Sequence, residues 1–333
     1  MGSGLTIGEA MSLDHELERT PLESSERAGA LDLSAIVAQL RSARQHWRAL
    51  QGRPLELSGR ELPSREALLA ILADLRGALF PMRLGPPALR QESEDFYVGH
   101  TLDSALHALI GQVRLELGFH HRSRGMSGAT LDARATEIVR DFGSALPRIR
   151  ELLDTDVLAA YRGDPAARSV DEVLICYPGL HALIHHRIAH QLHTLGVPLL
   201  ARIVSELAHG DTGIDIHPGA RIGSHFFIDH GTGVVIGETA VIGNNVRIYQ
   251  AVTLGARRFE TEEDGTLHKG GARHPIVEDD VVIYAGATVL GRITIGRGAS
   301  VGGNVWLTHS VPPGSRIAQA SARDDRVDDA AGG

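Results

Sequence analysis

The chain has a single cysteine, Cys176, in 333 residues. A lone cysteine forms no internal disulfide, which excludes a disulfide scaffold and a multi-cysteine zinc site. It suits a reducing cytosol, so a cytoplasmic location is expected. No base is placed beside Cys176 by the sequence, and it reads as a small buried hydrophobe rather than a nucleophile. Basic residues are in the minority, 33 against 41 acidic, for a formal net charge of -8. Without a basic excess or a basic stripe, no nucleic-acid partner is expected. No apolar run approaches the ~20 residues that span a bilayer. The N-terminus carries Glu9, Asp14, Glu16 and Glu18 where a secretory leader would be apolar. No membrane partner is expected either. Aromatic residues make up only 4%.

What is present is glycine, at 38 residues, within a composition 43% hydrophobic and 22% charged. That is a globular balance, and the length suits about two domains at ~150 residues each. Residues 1–30 are polar and irregular and are expected to be disordered. From 31 to 209 the apolar spacing is helical: Leu33, Ile36, Val37, Leu40 and Trp47 recur at three-to-four steps, as do Leu68, Leu69, Leu72, Leu75 and Leu79. The pattern returns over Thr101–Leu117 and Thr136–Leu158, with breaks at Pro86-Pro87 and Gly125–Gly128. Two further helices follow, His181–Leu195 and Leu199–Leu207, parted by Gly196-Val197-Pro198.

From residue 210 to 314 the period changes to six. Ile216, Ile222 and Ile228 lead the series, which slips by two residues at Gly231-Thr232-Gly233. It resumes as Ile236, Ile242, Ile248 and Leu254. A polar loop, 256–275, interrupts it, and Val277, Ile283, Val289, Ile295, Val301 and Leu307 complete it. A second register of small and aliphatic residues, among them Ala220, Ala240, Val281, Ala287 and Ala299, runs four positions behind. A six-residue repeat is one short strand and one turn. Three make a triangular coil, and stacked coils make a parallel β-helix. The fold class is therefore α+β, a helical N-terminal domain followed by a β-helix. Residues 315–333 form a polar tail.

A β-helix is a scaffold, so chemistry is sought where the repeat breaks. Three breaks carry reactive groups: Asp215-Ile216-His217-Pro218, Asp229-His230 at the slip with Glu238 beyond it, and Arg273-His274-Pro275 at the end of the loop. The extra pair of residues at the slip pushes His230 out of the stacked wall. Asp215, fifteen residues earlier and nearly one coil away, is a candidate neighbour. A carboxylate beside an imidazole suits a general base; the alternative is that both are polar corner residues. Arg273 offers a fork for a carboxylate, or pairs with Glu260, Glu262, Glu263 or Asp264 of its own loop.

These segments, together with Asp164-Pro165-Ala166, the run from Gly231 to Ile242 and Val252-Thr253-Leu254-Gly255, resemble serine O-acetyltransferase of the hexapeptide-repeat acyltransferase superfamily. The resemblance covers about residues 150–314. It implies a left-handed β-helix and transfer of the acetyl group of acetyl-CoA to the hydroxyl of L-serine, the first step of cysteine biosynthesis. By the same resemblance His230 is the base, Asp215 orients it, and His274 stands beside the reacting hydroxyl. Asp164 and Asp229 hold the substrate ammonium, and Arg273 its carboxylate. The amide arm of acetyl-CoA meets backbone near Ala256, Ala285 and Gly303, in a groove between two subunits of a homotrimer or of a dimer of trimers. Acetyl-CoA is a co-substrate; no permanently bound cofactor and no metal are implied. L-Cysteine, with sulfur for oxygen, is expected to inhibit. The chain departs from the family in its long charged loop, its longer helical region and its altered segment after Ser315.

Rival readings are an O-acetyltransferase acting on a sugar or homoserine, and a metal lyase like the γ-class carbonic anhydrases, suggested by His225 and His230. The histidines His181, His185, His186, His190 and His193 share one helix and read as packing and interface residues. In much of the family a terminal isoleucine enters the active site of the next enzyme, a sulfhydrylase. Here the sequence ends Ala331-Gly332-Gly333. Losing a buried Ile side chain forfeits about 1.5–3 kcal/mol. No stable tail-mediated complex with a sulfhydrylase is therefore expected. Co-purification at fixed stoichiometry, abolished by deleting the last ten residues, would show otherwise.

Overall fold

The computed structural model describes residues 32–52, 62–121, 127–257 and 270–319. The expected disorder of residues 1–30, positions 258–269 of the interrupting loop and positions 320–333 of the tail lie outside the described residues. The chain divides into two units, residues 1–60 with 261–267 and residues 61–260 with 268–333. The first holds helix α1 (Leu33–Leu50), which starts where the Asp32 side chain accepts the Ala35 N–H.

The second unit opens with α2 (Arg65–Leu79), α3 (Pro81–Leu84), α4 (Glu94–His121), α5 (Gly128–Gly163), α6 (Val170–Cys176), α7 (Pro178–Thr194) and α8 (Pro198–Thr212). Ser64, Ser127 and Ser169 each accept the N–H three residues on, which caps α2, α5 and α6. Proline opens α7 and α8, where its missing N–H costs nothing. At the start of α8 the buried Glu116 carboxylate accepts the N–H groups of Leu199 and Leu200, both at 2.8 Å. Negative charge at a helix N-terminus is favourable there. Helix α7 is buried on most sides, His185 and His186 included. Burial pushes the His185 imidazole down to about 4 and that of His186 well below its ordinary value. No described helix is long and apolar enough to cross a membrane.

Short strands follow: β1 (Asp215–Ile216), β2 (Arg221–Ile222), β3 (Phe227–Ile228), β4 (Val235–Ile236), β5 (Val241–Ile242), β6 (Arg247–Ile248), β7 (Thr253–Gly255), β8 (Ile276–Val277), β9 (Val282–Ile283), β10 (Thr288–Leu290), β11 (Thr294–Ile295), β12 (Ser300–Val301), β13 (Trp306–Leu307) and β14 (Arg316–Ile317). All pairings are parallel, in three sheets ordered β1-β4-β7-β10-β13, β2-β5-β8-β11 and β3-β6-β9-β12-β14. This is the three-sided left-handed β-helix. Its first corner leads from the β1 sheet to the β2 sheet, its second on to the β3 sheet, and its third back to the β1 sheet.

The second residue of most strands points inward: Ile216, Ile236, Leu254, Val289 and Leu307 stack at 0–3% exposure. Each such side chain stabilises by about 1.5–3 kcal/mol relative to exposure. Ala220, Ala240, Ala287 and Ala299 fill the tight corners, also buried. Asp215 pairs with Val235, twenty residues on, whereas Val235 pairs with Thr253, eighteen on. The two extra residues are the slip after Asp229. Gly231 (φ 93°) permits it, because a Cβ there would fall 2.5 Å from Ile214 Cδ1.

Cys176 is exposed, which corrects the expectation of burial. Its helix has seven residues and buries only Val173, so the last position before Tyr177 lies outside the core.

One buried ion pair joins the helices to the coil. Asp156 of α5 and Arg187 of α7 meet at 3.0 Å with side chains 0% and 5% exposed. Arg187 also donates to the carbonyls of Ile222 and Gly223, and Asp156 accepts the Phe226 N–H. Burial pushes the Asp156 carboxyl up to about 6 against the opposing pull of Arg187. Asp156→Ala would leave the guanidinium charge unpaired and is expected to cost about 3–5 kcal/mol. A urea midpoint unchanged from that of the parent chain would contradict this role.

Candidate active site

The polar residues singled out in the sequence collect at two different corners. The third corner carries Asp229 and His230. His230 adopts a left-handed backbone (φ 58°), and its side chain is 72% exposed. Its Nε2 lies 4.0 Å from Asp229 Oδ1. Asp229 is buried and pairs with Arg247 of β6 at 2.5 Å. Beside this corner α5 ends at Gly163, and Asp164 follows it. The Asp164 carboxylate accepts the Ala166 N–H at 2.8 Å and the Tyr177 hydroxyl at 2.5 Å. The Tyr177 bond holds that carboxyl below its ordinary range, and the same bond pushes the Tyr177 phenol up to about 12.

Asp215 opens β1 near the same corner, but no hydrogen bond or ion pair joins it to His230 among the described residues. The expected adjacency rested on a fifteen-residue spacing, nearly one coil; the rung neighbour of Asp215 is Val235, twenty residues on. Its carboxylate instead comes within 4.8 Å of ligand atoms of Glu206 and His209.

The first corner carries His217, Glu238, Arg273 and His274. The Arg273 guanidinium reaches Glu238 Oε2 at 2.5 Å and the Gly271 carbonyl at 3.2 Å. Of the partners considered for Arg273, those in its own loop lie outside the described residues. His274 is buried, and its ring lies against Gly237, where a Cβ would sit 1.9 Å from its Cδ2. Thr239 surrounds it. The Thr239 N–H donates to His274 Nδ1 at 3.1 Å, and Thr239 Oγ1 accepts the N–H groups of Arg273 (2.9 Å) and His274 (3.1 Å). A backbone N–H can only donate, so Nδ1 is the acceptor and Nε2 carries the proton. Burial and the neighbouring Arg273 push the imidazole down to about 4. His274 is thus a neutral N–H donor. Arg292 braces it from above by donating to the carbonyls of Thr239 and His274. His217 accepts the Gly219 N–H on Nδ1 and is likewise pushed down to about 4 by burial.

The residues placed along acetyl-CoA divide in the same way. Ala256 follows β7 at the first corner. Ala285 and Gly303 lie at the third, where the Asn304 N–H donates to the Ala285 carbonyl at 2.9 Å. The histidines behind the metal-lyase reading do not converge: His217, His225 and His230 occupy the first, second and third corners.

Sequence reasoning gave no role to Tyr177, Arg247, Gly237 or Thr239. For Arg247 a signal existed. Adding the two-residue slip to the eighteen-residue coil makes it the rung neighbour of Phe227, two residues before Asp229.

Stacked hexapeptide coils with reactive side chains at and beside their corners define the hexapeptide-repeat class. No protein-family model matches the chain. The plasmid serine acetyltransferase of Synechococcus elongatus is 59% identical over 274 residues, 81% of this chain and 86% of that protein. Serine acetyltransferase 1 of Entamoeba histolytica, solved in complex with L-cysteine, is 39% identical with a TM-score of 0.64, covering 75% of this chain and 86% of that one. The serine acetyltransferase of Neisseria gonorrhoeae, solved with serine, is 31% identical with a TM-score of 0.50, covering 76% and 96%. The chain belongs to the serine acetyltransferase family, and it is an acyltransferase.

Gly237→Ala tests the seat of His274. The added methyl displaces the imidazole while the inward-facing Ile236 is untouched, so acetyl transfer is expected to fall at least ~10-fold with the circular dichroism spectrum unchanged. Full activity in Gly237→Ala would contradict the seat.

Proposed function

We propose that the chain transfers the acetyl group of acetyl-CoA to the hydroxyl of L-serine at a site assembled from the third corner of one subunit and the first corner of the next. The observation that carries this reading is the division of the site residues. Carboxylates and an exposed imidazole occupy one edge of the prism, and a guanidinium and a neutral imidazole occupy another. Facing each other across two chains, these edges match the ammonium and the carboxylate of an amino acid. A homotrimer built through the β-helices, alone or paired into a hexamer, supplies such facing edges.

In this mechanism Asp164 and Asp229 hold the ammonium, and Arg273 holds the carboxylate. His230 takes the proton of the serine hydroxyl as Oγ attacks the thioester carbonyl. Asp215, whose strand β1 pairs with β4 just beyond this corner, orients the His230 imidazole. The carbonyl π bond opens to an oxyanion, which the Nε2–H of His274 stabilises as a fixed neutral donor. The carbonyl reforms, the C–S bond breaks, and the thiolate leaves with the proton from His230 as CoA. Ala256, Ala285 and Gly303 contribute the backbone along the amide arm. Acetyl-CoA is a co-substrate, and the reaction takes place in the cytoplasm. The serine and L-cysteine complexes of the Neisseria and Entamoeba relatives support one shared grip for substrate and inhibitor. L-Cysteine then inhibits by competing with serine.

His230→Ala is expected to lower kcat by ~10²–10⁴-fold with little change for acetyl-CoA. Arg273→Ala is expected mainly to raise the serine KM, since it binds a group present in ground and transition states alike. Turnover retained in His230→Ala would mean that another group is the base. His274 stays neutral down to about pH 4, so any acid limb near neutrality is expected to persist in His274→Gln. An acceptor panel with a thiol reporter, including a sugar and homoserine, tests the substrate.

A further inference from the structure

Arg247 touches both segments that carry the two carboxylates. Its Nη2 meets Asp229 Oδ2 at 2.5 Å, and its Nη1 donates to the carbonyl of Gly163 at 2.7 Å. Gly163 is the last residue of α5, and Asp164 follows it directly. The guanidinium carbon also lies over two rings, 4.9 Å from the centroid of Phe227 and 4.6 Å from that of Tyr249. Tyr249 stacks in turn on Tyr284, with centroids 5.2 Å apart and planes at 17°. The helix end can approach this closely because residue 163 is glycine: a Cβ there would fall 2.8 Å from Phe227 Cδ1. The Arg247 Nε is buried with no hydrogen-bond partner. The side chain spends its two terminal nitrogens on two separate segments and leaves a third donor bare, an arrangement that costs stability.

We propose that Arg247 is a positioning residue that fixes the spacing of Asp164 and Asp229 and so selects acceptors bearing an ammonium group. This rests on the reading of those two carboxylates given above. The planar fork is what permits the bridge. Two nitrogens a fixed distance apart tie a carbonyl on the helix end to a carboxylate on the coil, while the two aromatic rings hold the cation. A lysine ammonium can neither reach both nor stack in the same way. With the bridge in place the two carboxylates converge on one small cation. Without it, the turn bearing Asp164 is held to the coil only by its other contacts, and Asp229 loses its charged partner.

The test compares the parent chain with Arg247→Met and Arg247→Lys, using L-serine and L-glycerate, whose hydroxyl replaces the ammonium. Loss of a charge-assisted hydrogen bond corresponds to about 10–100-fold. The serine KM is expected to rise by about that factor in both variants, with kcat and the acetyl-CoA KM within ~3-fold. The preference for serine over glycerate is expected to shrink by the same factor. Hydrogen exchange, which needs no activity, is expected to quicken over residues 163–169 while the middle of α5 stays protected. An unchanged serine-to-glycerate preference overturns the proposal, and so does unchanged exchange at 163–169. If the parent chain acetylates no serine, the substrate reading falls, and the exchange result still decides whether Arg247 holds the two segments together.

Discussion

Everything in the active region depends on the rung register of the coil. Interior aliphatics at every sixth position lock each strand above its predecessor, and a shift of one residue would turn the whole interior face outward. Within that constraint side chains vary freely at the corners and at the outward-facing first residues of the strands, such as Asp215 and Arg247. The stacked rungs align Asp229, Tyr249 and Tyr284 in one column despite spacings of twenty and thirty-five residues, and the two-residue slip falls just after Asp229, at His230, which has a left-handed backbone. The packed interior makes the position of an exposed histidine a matter of geometry rather than of loop flexibility.

The two polar corners solve different electrostatic problems. At the first corner charge is contained: Glu238 neutralises Arg273, burial keeps His217 and His274 uncharged, and Thr239 fixes which nitrogen of His274 bears the proton. The product is a directed N–H dipole in a partly dry setting, where such a dipole acts strongly. At the third corner charge is displayed: Asp164 is held ionised by Tyr177, and Asp229 is anchored by Arg247. In the proposed site the donor edge of one prism complements the acceptor edge of another.

Much of this was legible in the sequence. The six-residue period gave the coil, its interior and the location of the breaks, because an interior position tolerates only aliphatic side chains and so leaves a periodic trace. The grouping of Asp229 with His230 and of Arg273 with His274 was legible as adjacency. The partners of those residues were not. Tyr177 reaches Asp164 across thirteen residues, and Arg247 reaches Gly163 across eighty-four. Such contacts follow from where a helix end lands on the coil, which no local pattern encodes. The nearness of Asp215 to His230 was read from a fifteen-residue spacing, nearly one coil, and the rung partner of Asp215 is Val235, just beyond the His230 corner. Cys176 was read as a small buried hydrophobe because no base stands beside it in the sequence, but its short helix buries only Val173 and leaves it exposed.

The central claim is that each site is shared by two chains, and subunit mixing tests it most directly. His230→Ala and Arg273→Ala, one at the third corner and one at the first, are denatured together in equal amounts, refolded and assayed at low serine. Random assembly restores about a quarter of the sites with both corners intact, so about a quarter of parental activity is predicted. Activity no higher than the mean of the two variants assayed separately would place both corners of each site on one chain and contradict the account.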